Sequence, residues 1–355
     1  MIHSKNEVDS TANENKRYTV KEVILPGIVK PDGLLIQNRL LDEPSTGQVI
    51  IKVEASGVSF AERAMIRDKY PGMPKFPFVP GYDLVGTVVA VGKEVDKVVL
   101  GKRFAVLTKT GGWSTYVLIS ADELLTVPEG LDSADVETFV VNGITAWQML
   151  HRKANIKKGQ TILVLGANGG VGSILTQLAV NAGVRVIGAS SMQHHEALKK
   201  KGVIPIDYND VNFSQTVREL APEGIDAVFD NIGGESILRS FKLLKSGGRL
   251  VSYAIAYALN SNKSVVKSFL TLIIHLFWLN ILPNTRKAVF YNVWSGRGSA
   301  KFKAEIQEDF AQLMHLLKKG FLKSEISARF PLEKINEAME LAESRTTYGK
   351  ILIIP

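Results

Sequence analysis

Hydrophobic and polar positions change rhythm twice along the chain. Residues 1–17 (MIHSKNEVDSTANENKR) are polar, of mixed charge and aperiodic, and predict a disordered tail. From 19 to 127, short apolar runs alternate with glycine and proline, and the runs 48–53, 84–91, 103–107 and 114–119 each read as strand. Gly57, Gly86, Gly92 and Gly101 punctuate this stretch with little helical spacing between them, which predicts a β-rich, barrel-like domain. After Pro128 the texture shifts. Residues 161–166 read as strand, a helical pattern runs on to Val180, 184–190 reads as a second strand, and a helix follows around 196–201. The runs 225–233 and 248–254 are further strands separated by helical stretches. Such alternation makes βαβ units and a parallel sheet. Near the end, 303–319 and 332–343 read as helices and 350–354 as a closing strand.

One run departs from its surroundings. Residues 268–282 (SFLTLIIHLFWLNIL) are apolar nearly all round, with His275 and Asn280 as the main interruptions and Pro283 as the stop. As a helix, fifteen residues rise about 22 Å, short of the roughly 30 Å hydrocarbon core, so the segment does not span a bilayer. Three readings compete: burial at a dimer contact or under the second domain, a lid over an apolar substrate channel, or a contact lying on an anionic lipid surface. Lys263, Lys267, Arg286 and Lys287 flank the run, as the third reading asks. Burial with a lid function is the expectation taken forward, and it predicts a bulky apolar substrate.

Composition narrows the class. The 355 residues are 45% hydrophobic and 22% charged, enough for two domains with real cores. There is no cysteine, which excludes disulfides, thiol catalysis, iron–sulfur clusters and thiolate zinc sites. No secretory signal pattern opens the chain, and a cytoplasmic enzyme is the expectation. The net charge of +8 is unevenly placed: 236–304 holds eleven basic residues and no acidic one, while the remainder is slightly acidic. That segment invites an anionic partner or is simply a solvated face; nucleic acid is not expected, because no recognition motif accompanies the charge.

The strongest motif is Gly166-Ala167-Asn168-Gly169-Gly170-Val171-Gly172, set between a strand and a helix. Glycines there permit a tight turn and let backbone approach a pyrophosphate, while the helix start offers unpaired N–H groups. A dinucleotide site follows from that context. The end of the next strand discriminates between cofactors. An NAD site carries an acidic residue there for the ribose 2′-hydroxyl. This chain reads Ala189-Ser190-Ser191-Met192-Gln193-His194-His195, with no carboxylate before Glu196. Hydroxyls and imidazoles suit a 2′-phosphate, so NADP(H) is expected, although the histidine pair also fits a solvated helix start.

With these motifs in view the chain resembles the zinc-free medium-chain dehydrogenase/reductases of the quinone oxidoreductase (zeta-crystallin-like) group. It is also similar to the vesicle amine transport protein branch across His195-Glu196-Ala197-Leu198 and Pro205-Ile206-Asp207-Tyr208. The resemblance runs from 19 to 355. It includes 57–70 with Pro71, Val79-Pro80-Gly81 and Asp83, Thr145-Ala146, Asp230-Asn231-Ile232-Gly233-Gly234, and Arg345 with Gly349-Lys350. It implies an α/β fold: a GroES-like β-rich catalytic domain over 18–142 and 290–355, and a Rossmann doubly wound parallel-sheet domain over 143–289. It also implies a homodimer joined through sheet edges.

By the same resemblance Thr145, Asn231 and Tyr253 line the cofactor with Gly169, Gly170, Val171 and Gly172. Ser190, Ser191, His194, His195, Tyr208 and Arg345 are the candidates around its 2′-phosphate. Zinc-dependent relatives use a cysteine ligand and a Gly-His-Glu motif, where this chain reads Gly81-Tyr82-Asp83, so no metal is expected. Ser59, where quinone reductases typically carry asparagine, and Tyr70 are the catalytic candidates. The Tyr70 phenol suits a hydrogen bond to a substrate carbonyl, or a packing role at the cleft lip. The expected function is NADPH-dependent, metal-free hydride transfer to a small apolar quinone or enone. The alternatives are an enoyl-thioester reductase, or a nucleotide-binding membrane-surface protein with little turnover.

Overall fold

The computed structural model describes residues 17–254, 256–259 and 265–355, so the tail expected at 1–17 lies, but for Arg17, outside the described residues. The β-rich part is built on the eleven-residue strand Gln48–Val58. Its odd positions Val49, Ile51 and Val53 pack with Leu84, Val88, Phe104 and Val106, whereas Ile50 turns to the other face with Val20 and Leu41. That two-residue alternation commits one strand to two apolar layers. Asp83–Val91 and Tyr116–Ser120 pair antiparallel with it. The closing strand Lys350–Ile354 lies between it and Ile326–Pro331. Together with Arg103–Leu107 and Leu125–Thr126 these make a seven-stranded sheet. A separate ribbon pairs Thr19–Ile24 with Leu35–Leu40.

The second sheet has six strands: Thr161–Leu165, Arg185–Ser190, Ile204–Asp207, Ile225–Asp230, Leu244–Ser252 and Lys287–Phe290. All neighbours are parallel, and in chain order they lie 3-2-1-4-5-6. Helices cover both faces, so Ile162, Leu163, Val164, Val228 and Phe229 are fully buried, which explains the unbroken apolar runs. Chain order reverses between the first and fourth strands, and a crevice opens there at the carboxyl ends. Gly166 follows one of these strands and Asn231 the other.

Two expected domain limits fall inside elements. The limit at 142/143 cuts the helix Val141–Trp147, and that at 289/290 cuts the strand Lys287–Phe290. The helix starts at Val140 without a side-chain cap and carries Gly143 within it, so the sequence gives little sign of its start. The helix Ala300–Lys318, expected with the β-rich domain, packs on Val141–Trp147. It is tied there by Arg152 and Gln148 to Asp309 at 2.7 and 2.8 Å.

The apolar run forms the helix Val265–Ile281 against the outer strand of the parallel sheet. Leu272, Leu276 and Leu279 are buried beneath it, but Leu270, Ile273, Ile274, Phe277, Trp278 and Ile281 form an exposed outer row. Within one chain, therefore, burial covers one face of the helix. At about 25 Å the helix is shorter than a hydrocarbon core. Among the described residues no helix is long and apolar enough to cross a membrane. Asn280 reaches from it to the sheet edge, where its amide donates to the Ala288 carbonyl at 2.7 Å and its oxygen accepts from the Ala288 N–H at 2.9 Å.

Candidate active site

A cavity of about 490 Å³ lies between the two sheets at the crevice. At one end is the glycine loop. Gly166 has φ +68°, and a Cβ on Gly172 would lie 2.1 Å from the Gly166 carbonyl oxygen, so both turn and helix start demand glycine. The helix Gly170–Asn181 begins at Gly169 with no side-chain cap, leaving its first N–H groups toward the cavity that Gly169, Gly170, Val171 and Gly172 line. A Cβ on Gly170 would lie 2.4 Å from Asn142 Nδ2, so the space kept open there is backbone space. Asn231 Oδ1 is buried without a hydrogen-bond partner among the described residues. Asp230 turns inward and accepts from the Ile232 and Gly233 N–H groups and from the Ser236 and Ser240 hydroxyls, which holds Asn231 at the rim. A pyrophosphate-bearing dinucleotide fits this end: it supplies the anion for the helix start and a partner for the orphaned amide oxygen. The stretch that leads into the closing strand locks the loop from behind, with Gly349 donating to the Asn168 carbonyl at 2.8 Å and Asn168 Nδ2 to the Thr347 carbonyl at 3.1 Å.

Of the expected cofactor residues, Thr145, Asn231 and Tyr253 line the same cavity as the glycines. Burial pushes the Tyr253 phenol well up, so it stays neutral. Ser190, Ser191, His194, His195, Tyr208 and Arg345 do not line it. Ser190 ends the second strand and accepts from the Tyr208 N–H at 3.2 Å, which brings those two together. His194 is buried, its ring edge-on to Tyr348 at 5.7 Å, and burial and then His195 lower its pKa. His195 Nε2 is buried without a partner among the described residues. Arg345 is exposed, in the left-handed conformation that ends the helix Ile335–Ser344. Tyr348, with Lys201 over its ring at 4.4 Å, joins His194 to this stretch. Sequence reasoning did not single out Tyr348, since its neighbours are over a hundred positions away.

The other end is walled by Val58, Phe269, Phe290, Val293 and Trp294. Phe269, against Phe290 at 5.2 Å, is the contribution of the apolar helix, whereas Leu276 lies in the core and Trp278 on the outer row. Ser59 and Tyr70 both line the cavity. Ser59, however, caps the helix Phe60–Met65: its hydroxyl donates to Glu62 at 2.5 Å and accepts from the Ala61 N–H at 3.1 Å. With its hydroxyl and its N–H both on Glu62, Ser59 completes a capping box at the start of that helix. Tyr70 bonds Tyr82, which in turn accepts from Trp294 Nε1. Burial pushes both phenols up, so each remains an O–H donor.

Asp83 and Glu137 are buried with Lys350, whose ammonium donates to each at 2.7 Å. Asp83 also accepts from the Val141 N–H at 2.9 Å. Burial and then Asp83 raise Glu137 well above the usual carboxylate range. Burial alone would lower Lys350, but the two carboxylates hold it up. These groups occupy the Gly81-Tyr82-Asp83 region. Its carboxylate is committed to lysine and its phenol to two aromatic partners, and no three metal-binding side chains converge among the described residues. A catalytic zinc does not fit this donor set.

The matches to known proteins agree with this plan. Residues 45–129 match the alcohol dehydrogenase GroES-like domain, and 201–353 match the zinc-binding dehydrogenase model. The rat synaptic vesicle membrane protein VAT-1 homolog is 30% identical over 94% of this chain and 83% of its own. A quinone oxidoreductase-like protein 2 homolog of Nematostella vectensis is 28% identical over 95% of this chain and 89% of its own. A mycobacterial protein solved with NADPH superposes with TM-score 0.81 at 25% identity, over 94% of this chain and all of its own. The Escherichia coli quinone oxidoreductase–NADPH complex gives 0.83 at 22%, over 94% of this chain and all of its own, a likeness of fold. The chain belongs to the medium-chain dehydrogenase/reductase family, in the quinone oxidoreductase group and with similarity to VAT-1.

Proposed function

We propose that the protein is an NADPH-dependent, metal-free oxidoreductase that reduces a quinone or an activated alkene. One observation carries this reading: a single cavity has an anion-ready glycine loop at one end and a neutral phenol in an apolar wall at the other. NADPH, when bound, supplies hydride. The chain's own residues hold the pyrophosphate at the helix start, exclude water with Phe269, Phe290 and Val293, and offer the Tyr70 hydroxyl to a carbonyl oxygen. Ser190, Ser191, Tyr208 and Arg345 are proposed to receive the 2′-phosphate, in keeping with the absence of an acid after the second strand.

The test is NADPH oxidation with a panel of quinones, enones and enoyl-thioesters, with and without a chelator. Turnover of quinones or enones that survives chelation is expected. Turnover of thioesters alone would favour the enoyl-thioester alternative, and equal use of NADH would sink the 2′-phosphate assignment. Arg345→Gln should raise KM for NADPH about tenfold and leave that for NADH unchanged, since a charge-assisted contact is worth about 1.5–3 kcal/mol.

A second reading, contact with an anionic membrane surface, is favoured by the exposed outer row of the helix Val265–Ile281 and by the acid-free stretch around it. We also propose a cytoplasmic homodimer. Joining through the edge strand Lys287–Phe290 would require Asn280 to release Ala288, whereas joining through the outer helical row would not.

A further inference from the structure

We propose that Tyr82 and Trp294 are positioning residues: they form a one-way hydrogen-bond relay that aims the Tyr70 proton into the cavity. The inference rests on the reading that a substrate carbonyl binds beside Tyr70. The indole Nε1–H is a donor and never an acceptor, so in the Trp294–Tyr82 bond the phenol oxygen must accept. Tyr82 is 5% exposed, and its own proton needs a partner. The bond the structure gives it is to the Tyr70 oxygen. With Tyr82 donating, the Tyr70 oxygen accepts and its proton is left to point elsewhere. Tyr70 lines the cavity, so elsewhere is the cavity. Ring packing fixes the arrangement, with Tyr70 edge-on to Tyr82 at 5.7 Å and Tyr82 to Trp294 at 5.4 Å. In the reverse order Tyr82, which also lines the cavity but is 5% exposed, would accept from both neighbours and have no acceptor among them for its own proton, and a Tyr70 lone pair would face the substrate's own lone pairs.

The chemistry asks for a donor at that place. When a conjugated carbonyl compound is reduced, hydride adds to the far alkene carbon. The electron pair displaced from the C=C bond moves to the carbonyl oxygen, which becomes an enolate. A hydrogen bond from Tyr70 stabilises that charge as it develops, and the proton that completes the second C–H bond comes from water. Burial raises the Tyr70 pKa, and Glu62, which raises it further, is the carboxylate acting on both phenols. Tyr70 therefore holds its proton near neutrality and acts as a fixed donor. Tyr82 stands between Gly81 and Asp83, where zinc-dependent relatives carry a histidine ligand, so the place of a metal ligand is filled by the middle of a relay.

The experiment labels tyrosine Cζ with ¹³C and follows the Tyr70 resonance, assigned with Tyr70→Phe, through alkaline titration. Tyr82→Phe removes the donor to Tyr70 and should raise the Tyr70 pKa; Trp294→Phe should move it the same way by less. Both variants should lower kcat for an enone about tenfold, with KM for NADPH unchanged. A Tyr70 titration identical in wild type and both variants overturns the relay, as does an unchanged kcat in an enzyme that turns over enones. The NMR readout needs no turnover. A wild-type chain that reduces neither quinones nor enones would therefore overturn the proposed function, while a shifted Tyr70 titration would still support the relay.

Discussion

The two ends of the cavity are made of different material. At the glycine end the recognising groups are backbone: the start of the helix Gly170–Asn181 and a loop in which side chains have no room. At the aromatic end they are side chains from distant stretches, Tyr70, Tyr82 and Trp294, the last two 212 positions apart. A backbone site follows from the topology and tolerates almost nothing. A side-chain site is set by a few contacts and can be retuned one residue at a time. The difference teaches where two kinds of recognition reside: that of a pyrophosphate in the fold, that of a substrate in removable groups.

The joint between the ends is where the comparison is most easily broken. Lys350 follows Gly349, which locks the glycine loop, and its ammonium holds Asp83, the neighbour of Tyr82. Lys350→Met would leave the Asp83 and Glu137 carboxyls buried without a cation. It should cost about 3–5 kcal/mol, read from chemical denaturation. Gly172→Ala comes next. Its Cβ meets a carbonyl oxygen that belongs to the loop itself, so relaxation must move the cofactor cradle. Dinucleotide affinity measured by calorimetry should fall at least about a hundredfold, roughly 2.7 kcal/mol. The smallest change separates cap from catalyst. Ser59→Ala should lower stability by about 1 kcal/mol and leave kcat within about twofold. A large loss of kcat at unchanged stability would restore Ser59 as a donor to substrate.

Legibility followed the same divide. The glycine loop, the strands around it and the helix after it are local patterns, and local spacing gives their order. The reading missed the strand Lys287–Phe290, only four residues long, and the helix Val141–Trp147, which has neither cap nor amphipathic stripe, being buried over most of its surface. Asp83 and Lys350 were singled out by resemblance, yet nothing in periodicity joins residues 267 positions apart. In the sequence alone, Tyr82 marks a missing metal ligand. Its gained role needed Trp294, whose nearness is a product of tertiary folding. The run 268–282 was legible as apolar but not as two-faced, because a helix apolar all round carries no mark of which side meets the sheet.

Asn280 has a consequence on the timescale of chemical ageing. Its amide stands in for a neighbouring strand, giving Ala288 one donor and one acceptor. Hydrolysis of that amide, which takes up water and releases ammonia, would leave an aspartate, which has no N–H to give. The oxygen in the amide nitrogen's place would then face the Ala288 and Leu276 carbonyls that the nitrogen now bonds at 2.7 and 2.8 Å. Repelled, the side chain would swing out and uncover the row of backbone groups that edge strands use to recruit one another. A mass change of about one dalton would thus turn a closed sheet margin into an open one.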